Sequence, residues 1–540
     1  MFNEARYQQI PVVNNISDYV SQYASSKADV VAIIDGSREL TYHMLEEEVM
    51  AVARALIGQG VKVGDRVACL SHPDIHYLVT LLACASIGAI WVGLNPDYDL
   101  TELELVIEDS DPVLVFYKAP LSQSDGSDRD YQKEFRHLTR LQEFKIVQLN
   151  GTPVDYAGME WSEFLAAADD VQLGTVDEIK NSLSSDTPAL LVYNSGFTGA
   201  PTGVLIHHRG LVQEARMQNV YWHADPVRII NFVPINHIGG VVDIGLFALA
   251  SGGTQVMMSG FNPVQYNQLM EQHRCTIWAG LPTTLQASVE DPDFASYDLS
   301  SIQHIAWSGG SVSQELLSRL KAVCPTTTTS YGLTETVGSI CYSSDGDKDE
   351  ILLNTIGKPV PIYDVRLMTE TGHLAKIDEP AEIQCRGDFT MLGYFNRDDL
   401  TSESMTEDGW LKTGDLGISR EDGNVQIIGQ ISQSYESGGY IVYPMEVEKT
   451  IQSYDGVLHV AILSKPDPLL SEVGVAFLQV ENHDSFSVEA LKTWCNDNLA
   501  EYKIPVEFIV LDKLPLLPVG RVDKRTLQRR VKPTTSSLLK

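Results

Sequence analysis

Short apolar runs of strand length alternate with helical patterns over most of this chain, and no other feature constrains its fold as strongly. Runs such as Arg66 to Ser71, Ala89 to Leu94 and Val113 to Phe116 are mostly apolar, with helical segments between them. Strands that are apolar on both faces indicate a parallel sheet covered by helices on both sides. We therefore predict an α/β fold with a large N-terminal domain of mainly parallel sheets covered by helices.

The chain changes character after about Gly429. Residues 431–439 are rich in Ser, Gln and Gly, a composition typical of a hinge. Beyond them, two helical segments, near Pro444 to Gln452 and at Val488 to Leu499, and three apolar runs of strand length suffice for a small α+β domain. At 540 residues the chain also exceeds the length at which a single core stops growing. We predict a large domain over 1–429, a hinge over 430–433 and a small mobile C-terminal α+β domain over 434–540.

The charge balance excludes several classes of partner. The chain has 39 Lys and Arg against 72 Asp and Glu, a formal net charge of −33. A nucleic-acid or anionic-membrane binder needs a basic surface to neutralise phosphates. The N-terminal segment lacks the apolar stretch of a signal peptide, and the seven cysteines contain no CxxC pair. The longest uncharged run, Tyr77 to Asn95, is interpreted as a buried helix and strand. We predict a cytoplasmic protein with no nucleic-acid or membrane partner.

The segment Tyr193 to Val204 follows a predicted strand and concentrates glycine and hydroxyl residues. Ten positions from Asn194 onward hold three glycines and three hydroxyl residues. Glycine lets backbone N–H groups approach an anion, and hydroxyls donate further hydrogen bonds. The spacing differs from the Walker pattern, because no Gly-Lys-Ser/Thr follows. On the residues alone, a phosphate-binding loop and an ordinary loop between strand and helix are equally good interpretations.

Six further segments join this loop in chain order. They are Leu94–Tyr98 with Glu102-Leu103, Pro234 with His237–Gly240, Ser308–Ser311, Tyr331–Thr336, Gly409–Asp415, and Gly439 with Pro444, Glu446 and Glu448. The set resembles the motifs of the AMP-forming acyl-adenylating superfamily, which contains acyl-CoA synthetases, firefly luciferases and non-ribosomal adenylation domains. Each motif is weak alone, but the ordered set is specific, and the resemblance runs from about residue 30 to residue 530.

The resemblance implies a site for ATP and Mg²⁺. Its ATP-binding residues would be Ser195, Gly196, Phe197, Thr198, Gly199, Thr202, Gly309, Gly310, Ser311, Tyr331, Gly332, Leu333, Thr334, Asp415 and Gln430. Glu335 would hold the Mg²⁺ that bridges the phosphates and would act in catalysis; a solvated turn residue is the alternative. Asp415 would accept both ribose hydroxyls, and its alternative is a turn cap.

The resemblance also implies an acyl pocket and a moving lid. His237 would face the acyl group and the nascent anhydride as a catalytic residue, and a structural hydrogen-bonding role is an equal alternative. The acyl pocket would also be lined by Val241, Trp307 and Val337, or these are ordinary core residues. Ser432 would be the hinge about which the small domain rotates between half-reactions. A thiol channel would then open near Gly438 and Gly439.

Four positions depart from the family pattern. Thr202 stands where the phosphate-loop lysine is expected, Gln430 where an arginine contacts ribose, and Ser432 where the hinge carries Asp or Lys. Arg521, after Gly520, occupies the place of the C-terminal catalytic lysine. Arginine keeps a permanent cation and a fork of donors, and Lys524 is a substitute nearby. Losing several cationic contacts is expected to weaken ATP binding, the adenylation rate, or both.

Three functions follow from these motifs. The leading hypothesis is an ATP-dependent carboxylic acid ligase, which forms an acyl-adenylate, releases pyrophosphate, and passes the acyl group to coenzyme A with release of AMP. A second is adenylation with another acceptor: a carrier-protein phosphopantetheine, an amine, nitrite or an internal hydroxyl. A third is a non-catalytic nucleotide-binding or acyl-binding protein. Amino-acid activation is disfavoured, because Pro234 to His237 lacks the acidic residue that amino-acid adenylation domains carry near there.

Overall fold

A computed structural model describes residues 3–123, 127–150, 158–194, 201–483, 485–516 and 522–531. The chain forms two compact units. The larger unit comprises Met1–Asp364 with Arg386–Gly409, and the smaller comprises Val365–Cys385 with Trp410–Lys540. This division into two compact units does not show about which residues the small domain would rotate. The domain boundaries at 429 and 434 and the hinge between them therefore stay predictions.

The largest sheet of the larger unit has eight strands. In spatial order they are Gly393–Tyr394, Thr202–His207, Pro188–Asn194, Ile90–Leu94, Arg66–Leu70, Pro112–Tyr117, Lys145–Gln148 and Met159–Glu160. Every neighbouring pair from Pro188–Asn194 to Met159–Glu160 is parallel. The strands Pro188–Asn194 and Thr202–His207 are antiparallel and form what we call the phosphate hairpin.

Two further sheets complete the strand framework of this unit. A five-stranded sheet has the order Ile277–Gly280, His304–Ser308, Thr327–Leu333, Gly338–Tyr342 and Lys358–Pro359. Its first three strands are parallel, and its last two are added antiparallel. A four-stranded sheet has the order Arg228–Asn231, Thr254–Met257, Val31–Asp35 and Arg38–Thr41. A small pair joins Leu121–Ser122 to Asp128–Arg129.

Helices connect and cover these sheets. They are Glu4–Gln9, Asp18–Ser26, Tyr42–Gly58, Ile75–Ile87, Leu100–Ser110, Gln132–Leu141, Trp161–Ala166, Thr175–Ser182, His208–Tyr221, Phe247–Ser251, Pro263–Gln272, Pro282–Val289, Gln314–Val323, Asp349–Asn354 and Asp398–Ser404. A π-helix spans Gly239–Leu246, and short 3-10 turns span Ala167–Asp170 and Phe294–Ser296. The predicted α/β class of mainly parallel sheets covered by helices is confirmed.

The long uncharged run folds as its composition predicts. The helix Ile75–Ile87 begins at Asp74, whose side chain accepts from the backbone N–H of Tyr77, and ends at Gly88 with φ of 71°. Almost every residue of this helix is buried, and so is the whole strand Ile90–Leu94 that follows. Burial of each large apolar side chain contributes about 1.5–3 kcal/mol. Among the described helices, none is both long and apolar enough to cross a bilayer.

The smaller unit contains two sheets. One has the order Asp364–Met368, Ala381–Arg386, Leu411–Ser419 and Val425–Gln430. The other has the order Tyr440–Val442, Tyr435–Ser437, Ser471–Val480 and Val457–Asp467, with Glu507–Leu511 added parallel to Ser471–Val480. The helices are Pro444–Gln452, Val488–Asn498 and Lys524–Gln528, with 3-10 turns at Ile431–Gln433 and Glu501–Lys503. Packing of helices on the second sheet buries a core around Val447, Ile462 and Leu478, which confirms the predicted C-terminal α+β fold.

Candidate active site

The phosphate hairpin fixes both ends of the glycine-rich loop. Asn194 and Thr202 are register partners at the ends of its two antiparallel strands. The predicted loop residues Ser195, Gly196, Phe197, Thr198 and Gly199 lie outside the described residues. The hairpin therefore places the entry and the exit of the loop side by side at one end of the eight-stranded sheet.

Glu335 lies directly against the base of this loop. The side-chain amide of Asn194 donates to Oε1 of Glu335 over 3.0 Å, and the Tyr394 hydroxyl donates to the same oxygen over 2.9 Å. The Thr334 hydroxyl in turn donates to Oδ1 of Asn194 over 2.9 Å. Burial and the charge of Glu335 both raise the pKa of Tyr394, so that the phenol stays a hydrogen-bond donor. Asn194 and Tyr394 thus orient the Glu335 carboxylate through two neutral donors.

A tight turn between two strands presents Thr334 and Glu335. The Thr336 hydroxyl accepts from the backbone N–H of Leu333 over 2.8 Å and donates to the carbonyl of Gly338 over 2.6 Å. A side chain on Gly332 would come within 1.8 Å of the Gly338 carbonyl oxygen, so only glycine fits there. Val337 adopts a left-handed backbone conformation, with φ of 66°, at the end of the turn.

The predicted adenine-side residues lie at one edge of the five-stranded sheet. The parallel strands His304–Ser308 and Thr327–Leu333 pair Ser308 with Ser330, so both reach the edge together. Beyond Ser308, the predicted ATP-binding residues Gly309, Gly310 and Ser311 are exposed. Tyr331 is buried one residue past Ser330. The structure therefore brings these two predicted segments together.

His237 begins the segment that leads into the π-helix. Its Nδ1 accepts from the backbone N–H of Gly239 over 3.0 Å. A neutral imidazole that accepts at Nδ1 carries its proton on Nε2. Gly93 permits close approach here, because a side chain on it would meet the carbonyl oxygen of Ile235 at 2.4 Å. π-helical turns are rare and frequent at functional sites, so this geometry favours a functional role for the segment.

The three apolar residues predicted beside His237 are all fully buried. Val241, Trp307 and Val337 each have 0% exposure. Trp307 packs in a core cluster with Trp278 and Leu285, and its indole N–H has no acceptor among the residues that the structure describes. Their positions are compatible with both alternatives, a pocket wall and ordinary core, so the predicted pocket role stays a prediction.

Two acidic residues that the sequence analysis missed lie close to these elements. Glu214, on the helix His208–Tyr221, is completely buried and accepts at Oε1 from the Ser339 backbone N–H over 2.9 Å and the Tyr342 hydroxyl over 2.8 Å. Asp243 lies within the π-helix. Burial, with the charge of Asp243, raises the pKa of Glu214 to about 8, and burial raises the pKa of Asp243 to about 7.

In the smaller unit, Asp415 is buried and is held by a chain of side chains. Asp415 and Gln430 are register partners, and the Gln430 amide donates to Oδ1 of Asp415 over 2.8 Å. The Gln433 amide donates to Oε1 of Gln430. Lys524 donates to Oε1 of Gln433 over 2.9 Å and pairs with Glu448 over 2.6 Å. Gln430, which replaces the expected arginine, therefore acts here as a neutral donor to the predicted ribose carboxylate.

Four further predicted residues belong to the smaller unit. Gly438 and Gly439 form the turn between the strands Tyr435–Ser437 and Tyr440–Val442, with φ of 59° and 84°. Two-residue hairpin turns of this kind require positive φ, and this requirement by itself explains why both residues are glycine. Their predicted place in a thiol channel stays a prediction. Ser432 lies in the 3-10 turn Ile431–Gln433. Arg521 lies outside the described residues.

The side chains around Glu335 fit a magnesium ion. Mg²⁺ prefers one or two carboxylates together with substrate phosphate oxygens, and Glu335 lies at the base of the glycine-rich loop. Elsewhere in the described part of the chain, His223, His304 and Asp345 place ligand atoms within 4.8 Å of one another. The positive charge of Arg6 already acts on all three of these groups, so that cluster is disfavoured for a cation.

Comparisons with known proteins agree with this geometry. The family model of the AMP-binding enzymes matches residues 20–395, and that of the AMP-binding enzyme C-terminal domain matches residues 446–521. A 3-[(3aS,4S,7aS)-7a-methyl-1,5-dioxo-octahydro-1H-inden-4-yl]propanoyl:CoA ligase of Rhodococcus jostii is 30% identical over 93% of this chain and 96% of its own. A feruloyl-CoA synthase of Amycolatopsis is 29% identical over 92% of this chain and 95% of its own.

A solved structure extends the likeness to the fold. The anthranilate CoA ligase AuaEII, in complex with anthranoyl-AMP, superimposes with a TM-score of 0.83. The superposition covers 97% of this chain and 99% of that one at 21% identity, which shows the shared fold alone. Taken with the family match over residues 20–395, these findings confirm what the ordered motifs predict: the chain belongs to the AMP-binding enzyme family and is most like its acyl-CoA ligases.

Proposed function

We propose that this protein activates a carboxylic acid with ATP and transfers the acyl group to coenzyme A. In the first step a carboxylate oxygen attacks the α-phosphorus of ATP, the bond to the bridging oxygen breaks, and pyrophosphate leaves. In the second step the thiol sulfur attacks the acyl carbon, its proton is lost, and AMP leaves. The observation that carries this proposal is the contact of Asn194 with Glu335, which joins the base of the glycine-rich loop to the acidic turn.

The first step requires charge stabilisation at the phosphates more than covalent chemistry. Mg²⁺, when bound, neutralises charge on the phosphate oxygens, and we assign its protein ligand to Glu335. Asn194 and Tyr394 fix the Glu335 carboxylate without neutralising it. The loop amides and hydroxyls between Asn194 and Thr202 would hold the β- and γ-phosphates, and Arg521 would supply the cation that the family takes from lysine.

The acid would be held beside His237. Because Nδ1 of His237 accepts from Gly239, its Nε2–H is a donor for the carboxylate or for the carbonyl oxygen of the anhydride. Such a neutral donor orients the acid without withdrawing the negative charge that the attacking oxygen needs. We assign His237 this orienting contact rather than proton transfer.

Asp415 would place the ribose. A carboxylate accepts two hydroxyl protons at once, and Gln430 holds Oδ1 of Asp415 in position. The link from Gln430 through Gln433 to Lys524 passes through the predicted hinge. Rotation of the small domain about Ser432 would break at least one of these hydrogen bonds. The same side chains would therefore set the position of the ribose and resist the rotation.

A coupled assay tests the proposal on the purified full-length protein. Pyrophosphate release is measured with ATP, Mg²⁺ and a panel of carboxylic acids, and AMP formation is measured with and without coenzyme A. We expect release that depends on the acid, and AMP formation that depends on coenzyme A. AMP formation that requires an amine or a carrier protein would mean that this molecule, and not coenzyme A, is the acyl acceptor. No release with any acid, despite ATP-induced thermal stabilisation, would favour a non-catalytic nucleotide-binding protein.

Two variants test the assigned roles. Asp415→Ala is expected to abolish pyrophosphate release, whereas Asp512→Ala, at an exposed position of the same unit, is expected to keep it. Arg521→Ala is expected to reduce adenylation more than transfer from a preformed acyl-adenylate to coenzyme A. Equal loss of both half-reactions in Arg521→Ala would contradict a lid with two working poses.

A further inference from the structure

Four buried carboxamide side chains hold the π-helix Gly239–Leu246 and the residue that follows it. Each of them donates an N–H to a backbone carbonyl of that segment. The donors and acceptors are Asn231 to Gly240 over 3.0 Å, Gln255 to Gly245 over 3.1 Å, Asn219 to Phe247 over 2.9 Å, and Gln218 to Asp243. We call these four side chains the amide clamp. None of the four is more than 7% exposed, so they act on the segment rather than on a bound molecule.

A helix and a sheet both contribute to the amide clamp. Gln218 and Asn219 belong to the helix His208–Tyr221. Asn231 and Gln255 belong to adjacent parallel strands of the four-stranded sheet. Because buried carbonyls need donors, the helix and the sheet must both be in place before all four carbonyls are satisfied. The segment is thus fixed to two separate elements at once.

Asn231 has a short connection to His237. The Gly240 carbonyl accepts from Asn231, and the Gly240 backbone N–H donates to the carbonyl of His237 over 3.1 Å. A side chain on Gly240 would meet the carbonyl oxygen of Val233 at 2.5 Å, so only glycine fits here. Asn231 is completely buried and also donates to the Tyr77 hydroxyl over 2.8 Å. Two hydrogen bonds therefore connect a fixed amide on the sheet to the residue that would orient the acid.

The amide clamp also favours one helix type over another. A π-helix forms hydrogen bonds between residues five apart, whereas an α-helix forms them between residues four apart. The two forms turn the same carbonyls in different directions, and amides that are tightly packed in a core fit only one arrangement. Gly239, the first residue of the π-helix, donates to Nδ1 of His237 over 3.0 Å. A change of helix type would therefore move the imidazole as well.

We propose that the amide clamp positions the carboxylic acid through His237. This inference rests on the proposed acid-activating function. The four side chains are positioning residues: they fix the π-helix, and the π-helix fixes the backbone N–H of Gly239, which sets the tautomer and the direction of the imidazole. The Nε2–H of His237 is then in place before the acid binds. Such preorganisation lowers KM for the acid, because binding does not have to order the segment first.

A purely structural role is the alternative, because any buried carbonyl needs a donor. Asn267 allows a direct comparison. It is completely buried like Asn231, and its amide donates over 3.0 Å both to the Ser288 carbonyl and to Asp291. A structural role predicts that removal of either amide has the same kinetic effect. Positioning predicts that KM for the acid changes only when the amide of Asn231 is removed.

Asn231→Leu and Asn267→Leu test this difference in the full-length protein. Each substitution keeps the approximate size of the side chain and removes one buried amide, so both are expected to lower the thermal midpoint. Pyrophosphate release is measured with the best acid of a panel that contains octanoate, benzoate and phenylacetate, against acid concentration at saturating ATP and against ATP concentration at saturating acid.

The two variants are expected to differ in KM. For Asn231→Leu, KM for the acid should rise by roughly tenfold, and KM for ATP should stay within about twofold. For Asn267→Leu, both KM values should stay within about twofold of those of the unaltered protein, since loss of folded protein lowers the rate without changing KM.

Gln255→Met is a second test, which decides the matter if Asn231→Leu does not fold. Methionine keeps the length of glutamine and removes the donor to Gly245. Because Gly245 lies further along the segment from His237 than Gly240 does, KM for the acid should rise less, by about threefold.

The possible failures are distinguishable. If a folded Asn231→Leu keeps KM for the acid within about twofold of the unaltered value, the amide clamp has only a structural role and the acid-activating function stands. The same conclusion follows if Asn267→Leu raises KM for the acid equally, or if KM for ATP rises as much as KM for the acid. If no acid of the panel releases pyrophosphate from the unaltered protein, the proposed function fails and takes this inference with it.

Discussion

Two carboxylate regions of the larger unit differ in how their oxygens are satisfied. Glu335 receives two neutral donors, from Asn194 and Tyr394, on a single oxygen. Glu214 receives donors on Oε1 but none that the described chain supplies on Oε2, and Oδ1 of Asp243 likewise lacks one. The first region is a fixed charge near the glycine-rich loop, and the second is a buried set of acceptors whose charge depends on pH.

The difference indicates two uses for the same chemical group. A carboxylate that is oriented by neutral donors keeps its full charge, which suits a cation that is present in every catalytic cycle. Carboxyls whose pKa is raised by burial to about 7 and about 8 change protonation close to neutral pH. They suit the holding of protons inside the larger unit, because a proton on a buried carboxyl removes the cost of burying its charge.

Glu335→Gln is expected to have the largest effect of the substitutions in these two regions. The amide keeps the size of the side chain but removes the charge that a metal ion needs. We expect pyrophosphate release to fall by roughly 10²–10³-fold, the range typical for removal of one electrostatic contact in an active site. The measurement is initial rate against Mg²⁺ concentration at saturating ATP, since the apparent Mg²⁺ requirement should rise as well.

Glu315→Gln serves as the control for charge alone, because this residue is exposed on the helix Gln314–Val323. A Glu335→Gln rate within threefold of the unaltered rate, a margin of about 0.65 kcal/mol, would show that the fixed carboxylate has no part in catalysis. The two carboxylate regions would then differ in their hydrogen bonds and packing but not in their part in catalysis.

Asn194→Ala is expected to have a smaller effect through the same carboxylate. The substitution removes one of two donors to Glu335 and leaves the Thr334 hydroxyl without its acceptor. We expect roughly a tenfold loss of kcat, about 1.4 kcal/mol, and little change in the thermal midpoint. Tyr394→Phe removes the other donor and should match this loss, whereas a large drop in stability instead would assign Asn194 a structural role.

The first carboxylate region could be found from the sequence, because its parts are local. Glu335 follows Thr334 directly in a turn, and the glycine-rich segment follows a predicted strand. What the sequence did not predict is the contact between Asn194 and Glu335, which joins residues 141 positions apart. Asn194 ends a strand of the eight-stranded sheet, and Glu335 follows a strand of the five-stranded sheet. Such a contact can be predicted only when the order of strands in each sheet is known, and the sequence pattern does not supply that order.

The second carboxylate region was missed for a different physical reason. Glu214 lies among Gln, Arg and Asn residues, a composition that indicates a solvent-exposed helix face. In the structure, however, nearly the whole helix His208–Tyr221 is buried. Asp243 did leave a signal, since it is a single acid within the otherwise apolar run from Gly239 to Ala250. Nothing in that run predicted a π-helix, because helix type there depends on packing rather than on composition.

The pH dependence of stability is expected to separate the two regions further. Burial raises the pKa of Glu214 from 4.5 to about 8 and that of Asp243 from 3.8 to about 7. Between these values the native state holds protons that the unfolded chain has released, so stability falls as pH rises from about 5 to about 8. Each group contributes a slope of about 1.4 kcal/mol per pH unit while it is neutral only in the native state.

Urea unfolding of Glu214→Gln across this pH range measures that contribution. The free energy of unfolding of the variant should fall less steeply with pH than that of the unaltered protein, with the largest difference between about pH 5 and about pH 8. Glu315→Gln should leave the slope unchanged. Identical slopes for all three proteins would mean that Glu214 is ionised in the folded state at these pH values.

Tyr342→Phe is expected to give the smallest effect, because it changes one donor and keeps the ring. The Tyr342 hydroxyl donates to Oε1 of Glu214 over 2.8 Å and lowers the pKa of that carboxyl. Its loss should cost about 1 kcal/mol of unfolding free energy at low pH and should move the pH-dependent loss of stability upward. Phenylalanine preserves the stacking on Tyr221, whose ring centroid lies 4.4 Å away, and Tyr221→Phe is the matched control because it leaves the contact with Glu214 intact. A downward move of the transition in Tyr342→Phe would mean that the phenol contacts the neutral carboxyl of Glu214 more favourably than the ionised one.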